Sequence, residues 1–312
     1  MKKNPFLVAS RCYQTWRTLQ RYPGVFSLGD ASRQLRQVVQ PQRFTNWELE
    51  RFIAQQLEIR NLPDGGHEIE IRRNGLIFYW TGTISSGLAS GVLQELDPEH
   101  PHYYTSAPVD LTPKSIVLDV GACEGLFALR LTKDRQAGKV HCFEPSARTA
   151  ALLRRAAEKN GLADQIAVKV CAVGRDSRQV YFTDLATAEA NHVVENGGND
   201  TTKIQQISLD DYCQENSIKL KRMDLIKVDA EGADVDVIKG AERSIREGSP
   251  QIAVTTYHDP GHAVQLINFL RSIQPNYVLR LKGFTLWNTK DLPRPVLLQA
   301  ALPENLHSKA PL

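Results

Sequence analysis

The sequence predicts an α/β protein: a mostly parallel sheet covered by helices on both faces, preceded by a small α+β cap and finished by an antiparallel hairpin. Three observations carry that prediction. From Ile116 onward, strand-like and helix-like patterns alternate, as they do where crossover helices join parallel strands. Residues 116–146 open that region with a buried-strand run, a glycine turn, an amphipathic helix and a second strand closing on Glu144. The last apolar runs, 277–281 and 296–300, alternate in apolarity and are separated by Gly283, Pro293 and Pro295, which suits two antiparallel strands. The division falls near residue 110, with 1–110 as a helical and hairpin cap and 111–312 as the sheet domain.

The elements follow in order. Residues 1–43 place Phe6, Tyr13, Trp16 and Tyr22 among basic positions with weak helical spacing. We read them as a helix packed on its own domain, with a membrane-surface or partner contact as the alternative. Thr45 and Glu48 fit a capping box, stapled by Phe44 and Leu49, ahead of a helix over 46–60 that buries Leu49, Phe52, Ile53 and Leu57. Residues 67–80 alternate as a hairpin turning on Asn74–Gly75, a pair suited to a type I′ turn. A helix over 85–96 ends at Asp97–Pro98, and a proline-marked link occupies 108–113.

In the sheet domain, strands are expected at 116–120, 166–173, 224–229 and 251–257. Ser146 can cap the second helix, whose Leu152, Leu153, Ala156 and Ala157 face inward before Gly161 ends it. A later helix carries Val235, Ile238 and Ala241, and Pro260 opens another toward residue 273. Asp210 and Asp211 suit a helix start. Lys227, between Ile226 and Val228, is expected near the sheet edge in a structural ion pair. Residues 184–203, rich in Asn, Thr and Gly, are too long for a plain connection and read as a lid or a disordered loop.

Composition bounds the function. With 38 Lys and Arg against 35 Asp and Glu, the formal charge is +3, small for 312 residues and spread along the chain, so no nucleic-acid partner is expected. Five cysteines make an odd count without short-range pairing, which suits reduced thiols. No apolar run approaches bilayer length, so the chain is expected to be soluble and cytoplasmic, with a homo-oligomer possible.

The chemistry gathers where strands end. In an open parallel sheet, ligands lie beyond the carboxyl ends of the strands, and that rim is expected to collect Asp119, Gly121, Glu144, Ala172, Asp229, Glu231 and His258. Glycines at 121 and 125 let the backbone turn sharply and approach a ligand, while N–H groups at the helix start can meet polar or anionic groups. Glu144, about 20 residues on, can take a ribose hydroxyl pair, so the stretch reads as a nucleoside site. The spacing is not the G-x-G-x-x-G of dinucleotide enzymes, which argues against hydride transfer.

The segments LDVGACEG, CFEPS, ISLDDY, IKVDAEGAD and TTYHDPGHA, in that order, resemble the FkbM-type methyltransferases, a branch of the S-adenosylmethionine-dependent class I enzymes. The resemblance covers roughly residues 95–300. It implies a seven-stranded Rossmann-like domain that binds S-adenosylmethionine and methylates a hydroxyl on a sugar, lipid or secondary-metabolite acceptor. Carried over by residue, Asp119, Gly121, Ala122 and Gly125 match the loop at the methionine portion and Glu144 matches the ribose-binding acid, with Glu124, Pro145 and Ser146 beside them as further expected cofactor contacts. Ala172 and Val173 would flank adenine, and Asp229 with Glu231 match the acidic D-x-E-G. Cys123 stands where the family usually has Asn, and Glu124 where an apolar residue is usual.

His258 is the expected base for the acceptor hydroxyl, with Asp229 beside it. The plainer role for this histidine is to cap the following helix or bond a backbone carbonyl; His192 and His262 are weaker candidates. A divalent metal held by Asp229, His258 and Asp259 is the less favoured arrangement, because Asp259 before Pro260 is more simply a helix cap. Trp80, Tyr103 and Tyr104 are expected in the acceptor pocket. Two further readings use the same residues: N-methylation of a small molecule, and a nucleoside-binding or interaction module without turnover.

Overall fold

A computed structural model describes residues 5–26, 29, 30, 32, 46–183, 193, 194, 197, 198, 201–285 and 293–303. Its centre is a seven-stranded sheet of order β13-β14-β12-β11-β4-β5-β6. The strands are β4 (Ile116–Val120), β5 (Lys139–Phe143), β6 (Ile166–Lys169), β11 (Leu225–Val228), β12 (Gln251–Thr255), β13 (Val278–Phe284) and β14 (Pro295–Ala301). The first five run parallel, while β14 lies antiparallel to β12 and β13, so the expected terminal hairpin is present. From β4 the chain proceeds outward to β5 and β6, then returns to β11 on the other side of β4. The switch in strand order therefore lies between β4 and β11, where a crevice opens at the strand ends.

Local sequence explains the covering helices. Gly125 starts α4 (Leu126–Lys133) in the left-handed region, φ 80°. The Ser146 hydroxyl accepts from Thr149 N to cap α5 (Ala147–Lys159), which buries Leu153, Ala156 and Ala157. Ser208 caps α6 (Leu209–Glu215) with Asp210 and Asp211 in its first turn, as expected. The stretch after β11 forms two short helices, α7 (Asp234–Lys239) and α8 (Glu242–Gly248), rather than one. After β12, α9 (His262–Ile273) returns the chain to the hairpin.

Four expectations are corrected. The helix predicted over 46–60 stops as α2 (Asn46–Gln56), and its last residues become β1 (Leu57–Asn61), because they pair antiparallel with β2 (His67–Ile71). The hairpin of β2 with β3 (Leu76–Trp80) turns through four residues, since Ile71 pairs with Leu76 and Gly75 N bonds to Ile71 O. The strand expected over 166–173 divides into β6 and β7 (Ala172–Val173); β7 leaves the main sheet to pair with β10 (Thr201–Ile207). With β8 (Arg178–Thr183) and β9 (Val193–Val194), these form a second sheet of order β7-β10-β8-β9 that the sequence did not suggest. Finally, Lys227 sits on the central strand, not the sheet edge, in the expected ion pair with Asp119 at 2.9 Å.

The N-terminal elements pack on the sheet domain. One buried apolar cluster joins Leu57, Ile69 and Phe78 to Val117, Phe127 and Leu153. Asn160, after α5, bonds both backbone groups of Ile77, and Lys133 reaches Gly75 O at 2.8 Å. α3 (Ser86–Leu96) is held to α4 by the buried pair Arg130–Glu95, 2.9 Å apart. In α1 (Pro5–Arg21), Thr15 and Thr18 are buried, while Tyr13 and Trp16 stack on the exposed face. No helix among the described residues is long and apolar enough to cross a membrane. Thr45 with Phe44, His192 and most of 184–203 lie outside the described residues.

Candidate active site

A cleft of about 690 Å³ opens where the switch point predicts, at the ends of β4, β5, β7, β11 and β12. The strand ends deliver Gly121, Ala122, Glu124, Gly125, Glu144, Pro145, Ala172, Val173, Asp229 and Glu231 to its lining, as the sequence anticipated. Phe78 and Trp80 of β3 and Leu88 of α3 wall one side, and Phe182 and Val193 contribute from the second sheet. Trp80 and Tyr104 border the cleft as expected; Tyr103 instead lies under the Arg130 guanidinium, 4.9 Å from its ring centre.

The floor is a locked turn. Gly121 has φ 72°, and a Cβ there would stand 1.8 Å from Asp229 O, so only glycine lets the β4 turn lie against the β11 turn. Buried Lys227 donates to Gly121 O at 2.9 Å and lies within 3.3 Å of Val120 O. Burial disfavours its charge, but Asp119 and Asp229 outweigh that and raise its pKa, so it stays an ammonium. Asp119 thus lies beneath the cleft as the partner of Lys227 and does not border it. The N–H groups of Gly121 and Ala122 bond to Phe143 O, that of Gly125 to Ala122 O, and that of Cys123 to Glu144, so these four are used within the chain rather than offered to a ligand.

Glu144 ties the two ends of this half together. Its Oε2 accepts from Cys123 N at 3.0 Å and its Oε1 from Ser146 N at 2.8 Å. Burial raises the carboxyl to about 7, against the lowering by those two N–H groups. Ser146 is buried as cap and donor and does not border the cleft. Cys123 holds φ 47°, a left-handed conformation that Asn adopts more readily than Cys.

The opposite half is acidic. Asp229 accepts from the Tyr104 hydroxyl at 2.8 Å, and the Thr255 hydroxyl lies 3.2 Å from its Oδ1. Asp234, fully buried, organises the turn: it accepts from Ala230 N, Gly232 N and Thr255 Oγ1. It also bonds His258 Nδ1 at 2.9 Å. His258 Nε2 points to Glu231 Oε2 at 3.3 Å and Asp229 Oδ1 at 3.7 Å, and the ring stands behind these acids instead of lining the cleft. Burial alone would lower its pKa, but contacts with Asp234 and Glu231 and the field of Asp229 raise it to about 10. An imidazole that keeps both protons at neutral pH is not the free base the sequence suggested. Asp259 is turned away, accepting from Gly261 N at 2.7 Å.

Sequence reasoning gave no role to Asp234, Thr255 or His102. His102 borders the cleft, packs edge-on against Tyr257, and is held down to about 4 by burial, so it is neutral. Asp234 lay within the IKVDAEGAD segment, where an acid at a helix start gave no sign that it would face a histidine 24 residues later. The arrangement offers a shared-acceptor carboxylate beside an apolar slot at one end, and at the other a hydrogen-bonded carboxylate facing open space beneath aromatic walls.

A family model described as the Methyltransferase FkbM domain matches residues 119–284, more than half of the 312-residue chain. Among curated proteins, the 2-O-methyltransferase NoeI of Sinorhizobium fredii is 27% identical over 164 residues, 47% of this chain and 65% of its own length. The chain therefore spans just under two thirds of that relative. Methyltransferase 1 of Beauveria bassiana is 23% identical over 171 residues, covering 47% of this chain and 68% of its own. Among solved structures, the methyltransferase FkbM from Methylobacillus flagellatus superposes with a TM-score of 0.46 at 21% identity, over 69% of this chain and 59% of that one.

Proposed function

We propose, from the premise that this chain belongs to the FkbM methyltransferase domain family, that it moves a methyl group from S-adenosylmethionine to a hydroxyl of a sugar, lipid or secondary-metabolite acceptor. The observation that carries the reading is the split of one cleft between two carboxylates, Glu144 at one end and Asp229 at the other.

The Glu144 end suits a nucleoside. Its carboxylate borders the cleft and retains lone pairs for ribose hydroxyls beyond the two N–H bonds it accepts. Ala172 and Val173 offer apolar contact to a purine, and the turn from Gly121 to Gly125 lines the remainder. When bound there, S-adenosylmethionine supplies an electrophilic methyl group.

The Asp229 end suits a hydroxyl acceptor. Asp229 accepts from the Tyr104 hydroxyl, so it is oriented before any acceptor arrives. It takes the base role, receiving the acceptor's hydroxyl proton on its carboxylate. His258 positions that carboxylate from behind as a fixed positive charge. Trp80, whose indole N–H bonds Thr83 O, presents an apolar face at the cleft, a pairing of aromatic wall and carboxylates that favours a sugar-like ring. The name of NoeI, a 2-O-methyltransferase, supports oxygen as the methylated atom.

The test is incubation with donor carrying a ¹³C methyl group and a panel of glycosides, glycolipids and hydroxylated secondary metabolites, with the labelled position read by NMR. Label on a hydroxyl oxygen is expected. Label on nitrogen, or no transfer to any member by protein that binds the donor, would overturn it.

A further inference from the structure

We infer that Asp229, Glu231 and His258 form a binding site for one divalent first-row cation at the acceptor end of the cleft. One ligand atom from each residue lies within 4.8 Å of the other two. Nε2 stands 3.3 Å from Glu231 Oε2 and 3.7 Å from Asp229 Oδ1, separations that neighbouring ligands adopt around an ion bound at about 2.0–2.3 Å. One imidazole and two carboxylates suit Mn²⁺ or Zn²⁺ better than the all-oxygen preference of Ca²⁺.

Two further observations point to a ligand at Nε2 rather than to ion pairing alone. Nε2 is buried and makes no aligned hydrogen bond, although two carboxylates lie beside it. The other ring nitrogen bonds Asp234, itself fully buried and fixed by Ala230 N, Gly232 N and Thr255. Metal-ligating histidines characteristically carry such a carboxylate on the far nitrogen, where it sets the tautomer and ring orientation. Asp259, the third ligand anticipated from sequence, is replaced by Glu231 because Asp259 caps the next turn.

Asp229 and Glu231 border the cleft, and Glu231 is 44% exposed, so the remaining coordination positions face the acceptor. An ion there would take over from the Nε2 proton as the positive charge behind Asp229. It would favour acceptors with two adjacent hydroxyls, which can chelate it, and would make the bound hydroxyl easier to deprotonate. This purpose rests on the proposed methyl transfer; the site itself does not.

The experiment is titration of the chelator-treated, dialysed 312-residue chain with Mn²⁺, followed by electron paramagnetic resonance, with Zn²⁺ as competitor. One Mn²⁺ per chain is expected. Glu231→Gln, at an exposed position, should weaken binding at least about tenfold, and Asp234→Asn about 10–100-fold. Thermal unfolding of each variant without metal shows that it is folded. No saturable binding by the wild type, or unchanged affinity in folded Glu231→Gln, overturns the site. A parallel calorimetric titration of the chelated protein with S-adenosylmethionine separates the two ideas: donor binding without Mn²⁺ binding defeats the site alone, and Mn²⁺ binding without donor binding defeats the methyltransferase reading alone.

Discussion

Glu144 shows how much one residue can carry and how it can be checked. Its position was legible because a strand, a turn and a helix set a fixed distance from the glycine loop to the next strand end. That its two oxygens also hold Cys123 N and Ser146 N was not legible, since those bonds depend on how the turn closes. Burial raises this carboxyl to about 7 from an ordinary 4.5, so the folded chain holds its proton more tightly than the unfolded chain does. Its contribution to stability is therefore full below about pH 4.5 and lost as pH rises through about 7. Donor binding runs the other way, because ribose hydroxyls need the ionised acceptor. Calorimetry between pH 5.5 and 8 should show S-adenosylmethionine affinity falling below pH 7, toward about tenfold per unit, and Glu144→Gln should flatten that dependence. An equally steep profile in the variant would assign the titration elsewhere. The place of His258 at a strand end was legible but its partners were not, because Asp234 and Glu231 reach it only through the fold of the 229–234 turn.

Among elements, the central strands were readable from their apolar runs, and the terminal hairpin from its alternation and glycine and proline breaks. β1 was not, because its sequence, LEIRN, also continues a helix, and only pairing with β2 makes it a strand. The second sheet was hidden for the same reason, with β7 contributing just two residues. The link after α3 was legible as proline-marked but not as rigid. Buried Gln251 bonds both backbone groups of Asp110, and buried Gln299 donates to Tyr104 O and Ser106 O, which fixes the hydroxyl that serves Asp229. Lys227 does the corresponding work between β11 and β4. Lys227→Met would leave Asp119 buried without its cation and should cost about 3–5 kcal/mol in urea unfolding, with the β4 turn loosened. A loss below about 1 kcal/mol would show that the pair does not hold the turn.

At the scale of the molecule, the N-terminal strands and the main sheet share an apolar cluster, and the cleft takes walls from β3, α3 and the second sheet. The strand-end rule located the cleft from sequence, because strand order and crossover direction are constrained. It could not supply the walls, which come from segments far away in the chain. Two ends, two carboxylates and two tasks is the central claim. The most direct test compares Glu144→Ala with Asp229→Asn, measuring S-adenosylmethionine affinity by calorimetry and methyl transfer in single turnovers at saturating donor. Glu144→Ala should lose donor affinity by about 10–100-fold. Asp229→Asn should keep it within a few-fold while transfer slows by about 10²–10⁴-fold. Equal loss of donor affinity in both variants, or near-normal transfer by Asp229→Asn, would contradict the division of the cleft.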